Sequence, residues 1–161
     1  GGAAAGDVGG RCAARMSDLQ VTAVPTEYVP QAWPLARGHL RRAIATTRGR
    51  HTEVSVLDDI LSGRLALWLV LDGEHAVAAM TTRITNLPGA RVLALDWIGG
   101  ARMREWLPLA HDVFIRYAED HGCSELHGYG RPAWGRALRA LGWYPHYTAF
   151  RLEIAVGQRQ H

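Results

Sequence analysis

Seven consecutive apolar residues, Leu65 to Leu71, run directly into Asp72-Gly73 and then into a second apolar stretch in "RLALWLVLDGEHAVAAMTTRIT". A strand without polar alternation has no face to give to water, so it must be covered on both sides. An Asp-Gly pair between two such runs is a tight hairpin turn. The chain must therefore build a sheet with further layers on both faces, which excludes a helix bundle.

The remaining segments supply those layers. "LQVTAVP" (19–25) reads as a short first strand that Pro25 ends. In "YVPQAWPLARGHLRRAIATT", Trp33, Ala36, Leu40, Ala43 and Ile44 recur at helical spacing, with Pro34 expected in the first turn. "SVLDDILSG" predicts a second helix capped by Ser55, with Asp58 at its third position, and stopped by Gly63. "NLPGA" (86–90) is a turn and "RVLALDWI" (91–98) a further strand. A long helix follows, with Trp106, Leu109, Ala110, Val113, Phe114, Tyr117 and Ala118 on its apolar face and its end at Gly122. "SELHGYG" predicts a strand with Glu125, His127 and Tyr129 on one side. "RPAWGRALRALGW" predicts a helix from Pro132 to Gly142. "YTAFRLEI" predicts a closing strand, with Phe150, Leu152 and Ile154 inward and Arg151 and Glu153 outward. The expected order is β-α-α-β-β-β-α-β-α-β, an α/β mixed sheet.

Length and composition narrow the classes of function. The chain has 161 residues, 48% of them hydrophobic and 20% charged, which suits one globular domain and argues against disorder. Residues 1–15, "GGAAAGDVGGRCAAR", are aperiodic and read as a flexible leader, with Met16 a candidate start, a domain over 16–157 and a tail over 158–161. Every one of the 18 basic residues is Arg. No lysine is present to act as a Schiff-base nucleophile or a low-pKa base. A net charge of +3 spread over scattered arginines fits a solvated surface better than a nucleic-acid patch. No apolar run approaches the roughly 20 residues of a membrane helix. Cys12 and Cys123 form no disulfide framework, which fits a cytoplasmic location. The eight His and two Cys show no metal-ligand spacing. Neither a Walker loop nor a dinucleotide fingerprint is present.

The element order resembles that of the GCN5-related N-acetyltransferase (GNAT) superfamily over about residues 20–155. "AEDHGCSELHGYG" resembles the family's end of the third helix and its fifth strand. "WGRALRALGWYPHYTAFRLEI" resembles its last helix, Leu-Gly-aromatic step and closing strands. "LDWIGG", "MREWL" and "GRPAWGRALRALGW" together are similar to short acetyltransferase-like proteins of phages and prophages. The resemblance implies an acyl-CoA-dependent N-acyltransferase that moves an acetyl group from acetyl-CoA, or another acyl-CoA, to an amine. The acceptor could be a small molecule or a protein. It also raises the alternative of a non-catalytic binding or structural protein, with virion proteins or a second copy as partners.

In that family acyl-CoA lies in a V between splayed fourth and fifth strands, and a loop of the form Arg/Gln-x-x-Gly-x-Gly/Ala holds the pyrophosphate. Free amides and the positive end of a helix attract phosphate, and glycines let the backbone approach. The pattern lies on this chain in two ways. "DWIGGA" puts Gly99 and Ala101 at the small positions, with Asp96 for Arg/Gln. "RMREWL" matches Arg102 but puts Glu105 and Leu107 where glycines belong. Pro108 fits a first turn better than a helix interior. It therefore favours a helix starting near Glu105 or Trp106, with "GGARMRE" as an anion-binding loop. On this reading Ile98, Gly99, Gly100, Ala101, Arg102 and Arg104 hold the cofactor, with Arg131 either joining them or capping the preceding strand. The family's Tyr five residues before the aromatic of the Leu-Gly-aromatic step is Leu138 here.

Acyl transfer to an amine needs a base and a proton donor for the thiolate. Asp96, at the end of the fourth strand, is a candidate base, or else it caps the loop or pairs with Arg102 or Arg104. Glu125, His127 and Tyr129 offer base, relay and acid if their face lines the V, and ordinary polar alternation if it does not. His127 is the natural proton carrier near neutral pH. Trp97 is a candidate wall for an acceptor pocket, and Trp134 a core residue.

Overall fold

The structure, a computed structural model, describes residues 18–130 and 134–155. The leader (1–15), Arg131 and the tail (158–161) lie outside those residues. The chain divides into two compact units, Gly1–Tyr129 and Gly130–His161.

The first unit is a five-stranded sheet in sequential order, formed by β1 (Leu19–Val24), β2 (Ala66–Asp72), β3 (His75–Leu87), β4 (Ala90–Gly100) and β5 (Glu125–Gly128). The first three pairings are antiparallel and β4–β5 is parallel, so the sheet is mixed. Helices α1 (Val29–Ala45) and α2 (Glu53–Leu61) precede β2, and α3 (Met103–Asp120) joins β4 to β5.

The apolar run behaves as its composition dictates. Leu67 and Leu69 pack with Val29, Ala36, Leu40, Ile44, Val56 and Ile60 of α1 and α2. On the opposite face, Trp68 meets the rings of Phe114 and Tyr117 of α3 edge-on at 5.0 and 5.1 Å. Its indole N–H donates to Thr82 Oγ1 at 2.9 Å, which satisfies the one polar atom of a buried ring.

Three helix boundaries differ from expectation. Helix α2 is capped by Thr52, not Ser55. Ser55 sits at the third position and closes a reciprocal box with Thr52 (Ser55 N–H to Thr52 Oγ1 3.0 Å, Thr52 N–H to Ser55 Oγ 2.8 Å). Pro34 lies inside α1 and Pro108 inside α3, past their first turns. The buried faces on both sides of each proline hold the helix against that local cost. Leu109, expected inward, is 41% exposed.

The second unit contains α4 (Trp134–Arg139). Its Leu-Gly-aromatic step is a helix stop. Gly142 adopts φ +92°, its N–H donates to Arg139 O (3.0 Å), and Trp143 N–H donates to Leu138 O (3.0 Å). Gly122 ends α3 in the same way, with bonds to Glu119 O and Ala118 O. The closing strand expected over 147–154 is not formed. Phe150, Leu152 and Ile154, expected inward, are 93%, 87% and 72% exposed. Alternation makes a strand amphipathic, but the strand exists only where a neighbouring backbone completes its ladder.

Candidate functional site

β4 is one strand with two environments. From Val92 to Leu95 it is paired on both sides, the last parallel pair being Leu95 with Gly128. β5 ends there, whereas β4 continues beside β3 to the Gly100–Ala78 pair. The two strands therefore part after Leu95, leaving one side of the Asp96–Gly100 backbone beyond the end of β5.

A β-bulge marks the same point. Thr82 pairs with Leu95 and Thr81 with Trp97, so Asp96 is the extra residue. The bulge brings two successive side chains to the α1/α2 face. Trp97 packs on the core beneath those helices and meets the His51 ring at 5.2 Å. Asp96 reaches Arg83 of β3 in a two-pronged ion pair (Nε–Oδ2 2.9 Å, Nη2–Oδ1 3.2 Å). Neither Arg102 nor Arg104 is its partner here. A third guanidinium N–H, on Nη1, donates to Thr85 Oγ1 at 3.1 Å. Asp96 is largely buried at 16% exposure. Its carboxylate holds the Arg83 pKa above the usual arginine value, and the nearby Tyr129 phenol acts in the same direction.

The register brings the β5 candidates to this face. Arg83 pairs with Ala94, and Ala94 with His127, so the three side chains form one cross-strand row. Glu125 and Tyr129 flank His127 at alternate positions. Glu125 Oε2 lies 2.7 Å from His127 Nε2. His127 is 28% exposed and Tyr129 58%. Asp96, Glu125 and His127 thus lie on one side of the sheet, where the parallel strands separate, and Tyr129, the residue after β5, is near enough to Arg83 to act on its charge.

The expected anion loop is not formed as predicted. α3 begins at Met103, with Glu105 and Trp106 N–H groups both donating to Arg102 O, so Ala101 and Arg102 alone connect strand to helix. That connection is pinned at Ala101, whose N–H donates to Val77 O (2.9 Å) and whose carbonyl accepts from the Trp106 indole (2.7 Å). Arg102 adopts a left-handed φ of +61°, uncommon outside glycine. Its guanidinium pairs with Glu105 (2.7 and 3.1 Å) and Asp72 (2.6 Å). Glu105 foremost, and Asp72 with it, raise the Arg102 pKa, and Arg102 holds Glu105 below the usual carboxylate range. Arg104 lies in the first turn of α3, and Ile98, Gly99 and Gly100 lie in β4.

Both glycines have a packing reason. A Cβ on Gly99 would sit 1.9 Å from His39 O of α1. One on Gly100, where φ is +138°, would sit 2.4 Å from Ala78 Cα of β3. What remains for an anion is the first turn of α3. The N–H groups of Met103 and Arg104 have no intrahelical acceptor there, and Arg104 adds a cation. Among the described residues, no helix is long and apolar enough to cross a membrane.

No family model matches the sequence, and no curated protein matches it. The fold does match solved structures. An aminoglycoside N-acetyltransferase AAC(6')-Iy in complex with CoA aligns at TM-score 0.58 and 18% identity, over 85% of this chain and 95% of that one. An aminoglycoside acetyltransferase from an uncultured soil metagenomic sample, in complex with sisomicin, aligns at 0.62 and 12%, over 86% and 97%. A ribosomal-protein-alanine N-acetyltransferase from Brucella melitensis biovar Abortus 2308 aligns at 0.63 and 14%, over 85% and 99%. The chain has the mixed α/β fold of these GNAT acetyltransferases.

Proposed function

We propose that the chain is an acyl-CoA-dependent N-acyltransferase. The observation that carries this reading is the separation of β4 from β5 after the Leu95–Gly128 pair, beside Glu125, His127 and Tyr129 and ahead of the first turn of α3. The CoA- and substrate-bound acetyltransferases that share the fold support it. Acetyl-CoA would supply the acyl thioester. The side of β4 that lies beyond the end of β5, from Asp96 through Ile98 to Gly100, offers backbone groups to its pantetheine amides. The first-turn amides of α3, with Arg104, suit its pyrophosphate.

A protonated amine is not a nucleophile, so the site must take up a proton. His127, oriented by Glu125, is the group suited to that at neutral pH. Tyr129, two positions on, is the candidate donor to the leaving thiolate. Asp96 is less suited than its position in sequence implies, because both its oxygens already accept from Arg83. The acceptor is an amine of a small molecule or a protein.

The second reading, a non-catalytic binding protein on this fold, draws on the closed β4–α3 connection. Its glycines are committed to packing and its Arg102 to two carboxylates. Release of free thiol from acetyl-CoA in the presence of a panel of primary amines separates the two. The transferase reading expects amine-dependent release that falls at least tenfold in His127→Gln. Release that is independent of any amine, or unchanged in that variant, overturns it.

A further inference from the structure

Arg83 is the one charged side chain of β3 that enters the row shared with His127, and acyl transfer as described above gives it no task. Three features define its position. It binds the bulge carboxylate through two parallel hydrogen bonds and Thr85 through a third. Between it and His127 stands only Ala94, whose methyl group leaves a long side chain room to extend across the strand. At strand spacings of about 4.8 Å, the Arg83 and His127 backbones are separated by roughly 10 Å, with Asp96 diagonal to both.

We propose that Arg83 is a positioning residue of the acyl-transfer site: it clamps Asp96 at the β4 bulge and balances the charge of that carboxylate, which would otherwise act on His127 diagonally across the strand pair. The inference rests on the transferase reading for its purpose, but its electrostatic content stands by itself. Among the described residues, the charged and titratable groups on this face are Glu125 from β5, Tyr129 just past its end, Arg83 from β3 and Asp96 from β4, with His51 against Trp97 and His39 of α1 bonded to Ala76 O farther along the sheet. Glu125 is in direct contact with His127. A second, unclamped carboxylate diagonal to the ring would add its negative charge to that of Glu125. A bidentate guanidinium cancels that charge and fixes its direction, which a lysine would do less well.

Removing one member of the pair exposes the charge of the other, so the two single variants move His127 in opposite directions. The test follows the His127 ring by NMR across pH 4.5–9 in the full chain at low ionic strength, the signal being assigned by its loss in His127→Gln. Arg83→Met leaves Asp96 uncompensated and is expected to raise the His127 titration midpoint by on the order of 0.5 pH unit. Asp96→Asn leaves Arg83 uncompensated and is expected to lower it by a similar amount. The double variant carries neither charge and is expected to return close to the wild-type midpoint, as is Arg83→Lys. The acid limb of the pH profile of kcat/KM for amine acetylation shifts with the NMR midpoint. Midpoints that stay fixed, or that move in the same direction in both single variants, overturn the proposal and leave the pair a fastener for the bulge. Absence of amine acetylation in the wild type defeats the transferase reading instead, while the midpoints still decide what Arg83 does.

Discussion

The two halves of β4 differ more from each other than either does from the rest of the sheet. Val92, Leu93, Ala94 and Leu95 are buried and paired with strands on both sides. Asp96 to Gly100 is bulged, ends in two glycines, and lies beyond the last residue of β5. The first half holds the sheet together. The second half is where a strand gives up a partner and gains a usable edge, the kind of position at which open α/β sheets receive ligands. On the transferase reading proposed above, the eleven residues of one strand thus serve the sheet at one end and ligand binding at the other.

The largest effect that can break this comparison is at Gly99. If its hydrogen side chain serves the packing of α1, Gly99→Ala forces a methyl group onto the His39 carbonyl and lowers unfolding stability by more than about 3 kcal/mol in urea titration. If it serves only as a phosphate cradle, stability holds and ligand affinity alone falls. Leu93→Ala, in the fully buried first half, is expected to cost about 3 kcal/mol through lost burial and the cavity left behind, by the same measurement. Thr82→Val strips the Trp68 indole of its buried acceptor and should cost about 1–2 kcal/mol, read as a lower thermal midpoint.

What the sequence disclosed and what it concealed divides along the same line. The buried hairpin of β2 and β3, the helix stops at Gly122 and Gly142, and the shared face of Glu125 and His127 were legible because each depends on local pattern: an apolar run, a left-handed glycine, an alternation of two. The bulge at Asp96 was not, since it exists only as a mismatch of register between two strands. With the bulge went the partner of Asp96. Arg83 could have been flagged, for Ala79, Thr81, Arg83 and Thr85 share one face of β3, and a charge there needs a counter-ion. The start of α3 was misjudged because Pro108 was read by propensity, and the packing of Trp106, Ala110 and Phe114 overrides that propensity. The closing strand failed for a different reason: alternation cannot name a partner.

The smallest expected effect lies where the second half of β4 hands over to α3. Glu105 has its pKa lowered by Arg102, so its ion pair contributes stability above the ordinary carboxylate value of 4.5 and loses that contribution as pH falls through the depressed folded value. Glu53, held by Arg41 and Arg37 between α1 and α2, follows the same sign. The urea midpoint of the wild type should decline on going below about pH 4.5, and less steeply in Glu105→Gln and Glu53→Gln. Equal slopes in all three proteins would remove these pairs from the account. Both pairs are solvent-accessible, so salt should weaken the difference.

The central claim is that the parting of β4 from β5 receives an acyl-CoA. Calorimetric titration of the intact chain with acetyl-CoA tests it most directly. The account predicts saturable one-to-one binding with a Kd in the range of about 1 μM to 1 mM, typical of enzyme substrates, and weakened by added salt because a pyrophosphate meets the first turn of α3. No heat of binding at millimolar acetyl-CoA, in protein shown by its thermal transition to be folded, would contradict it.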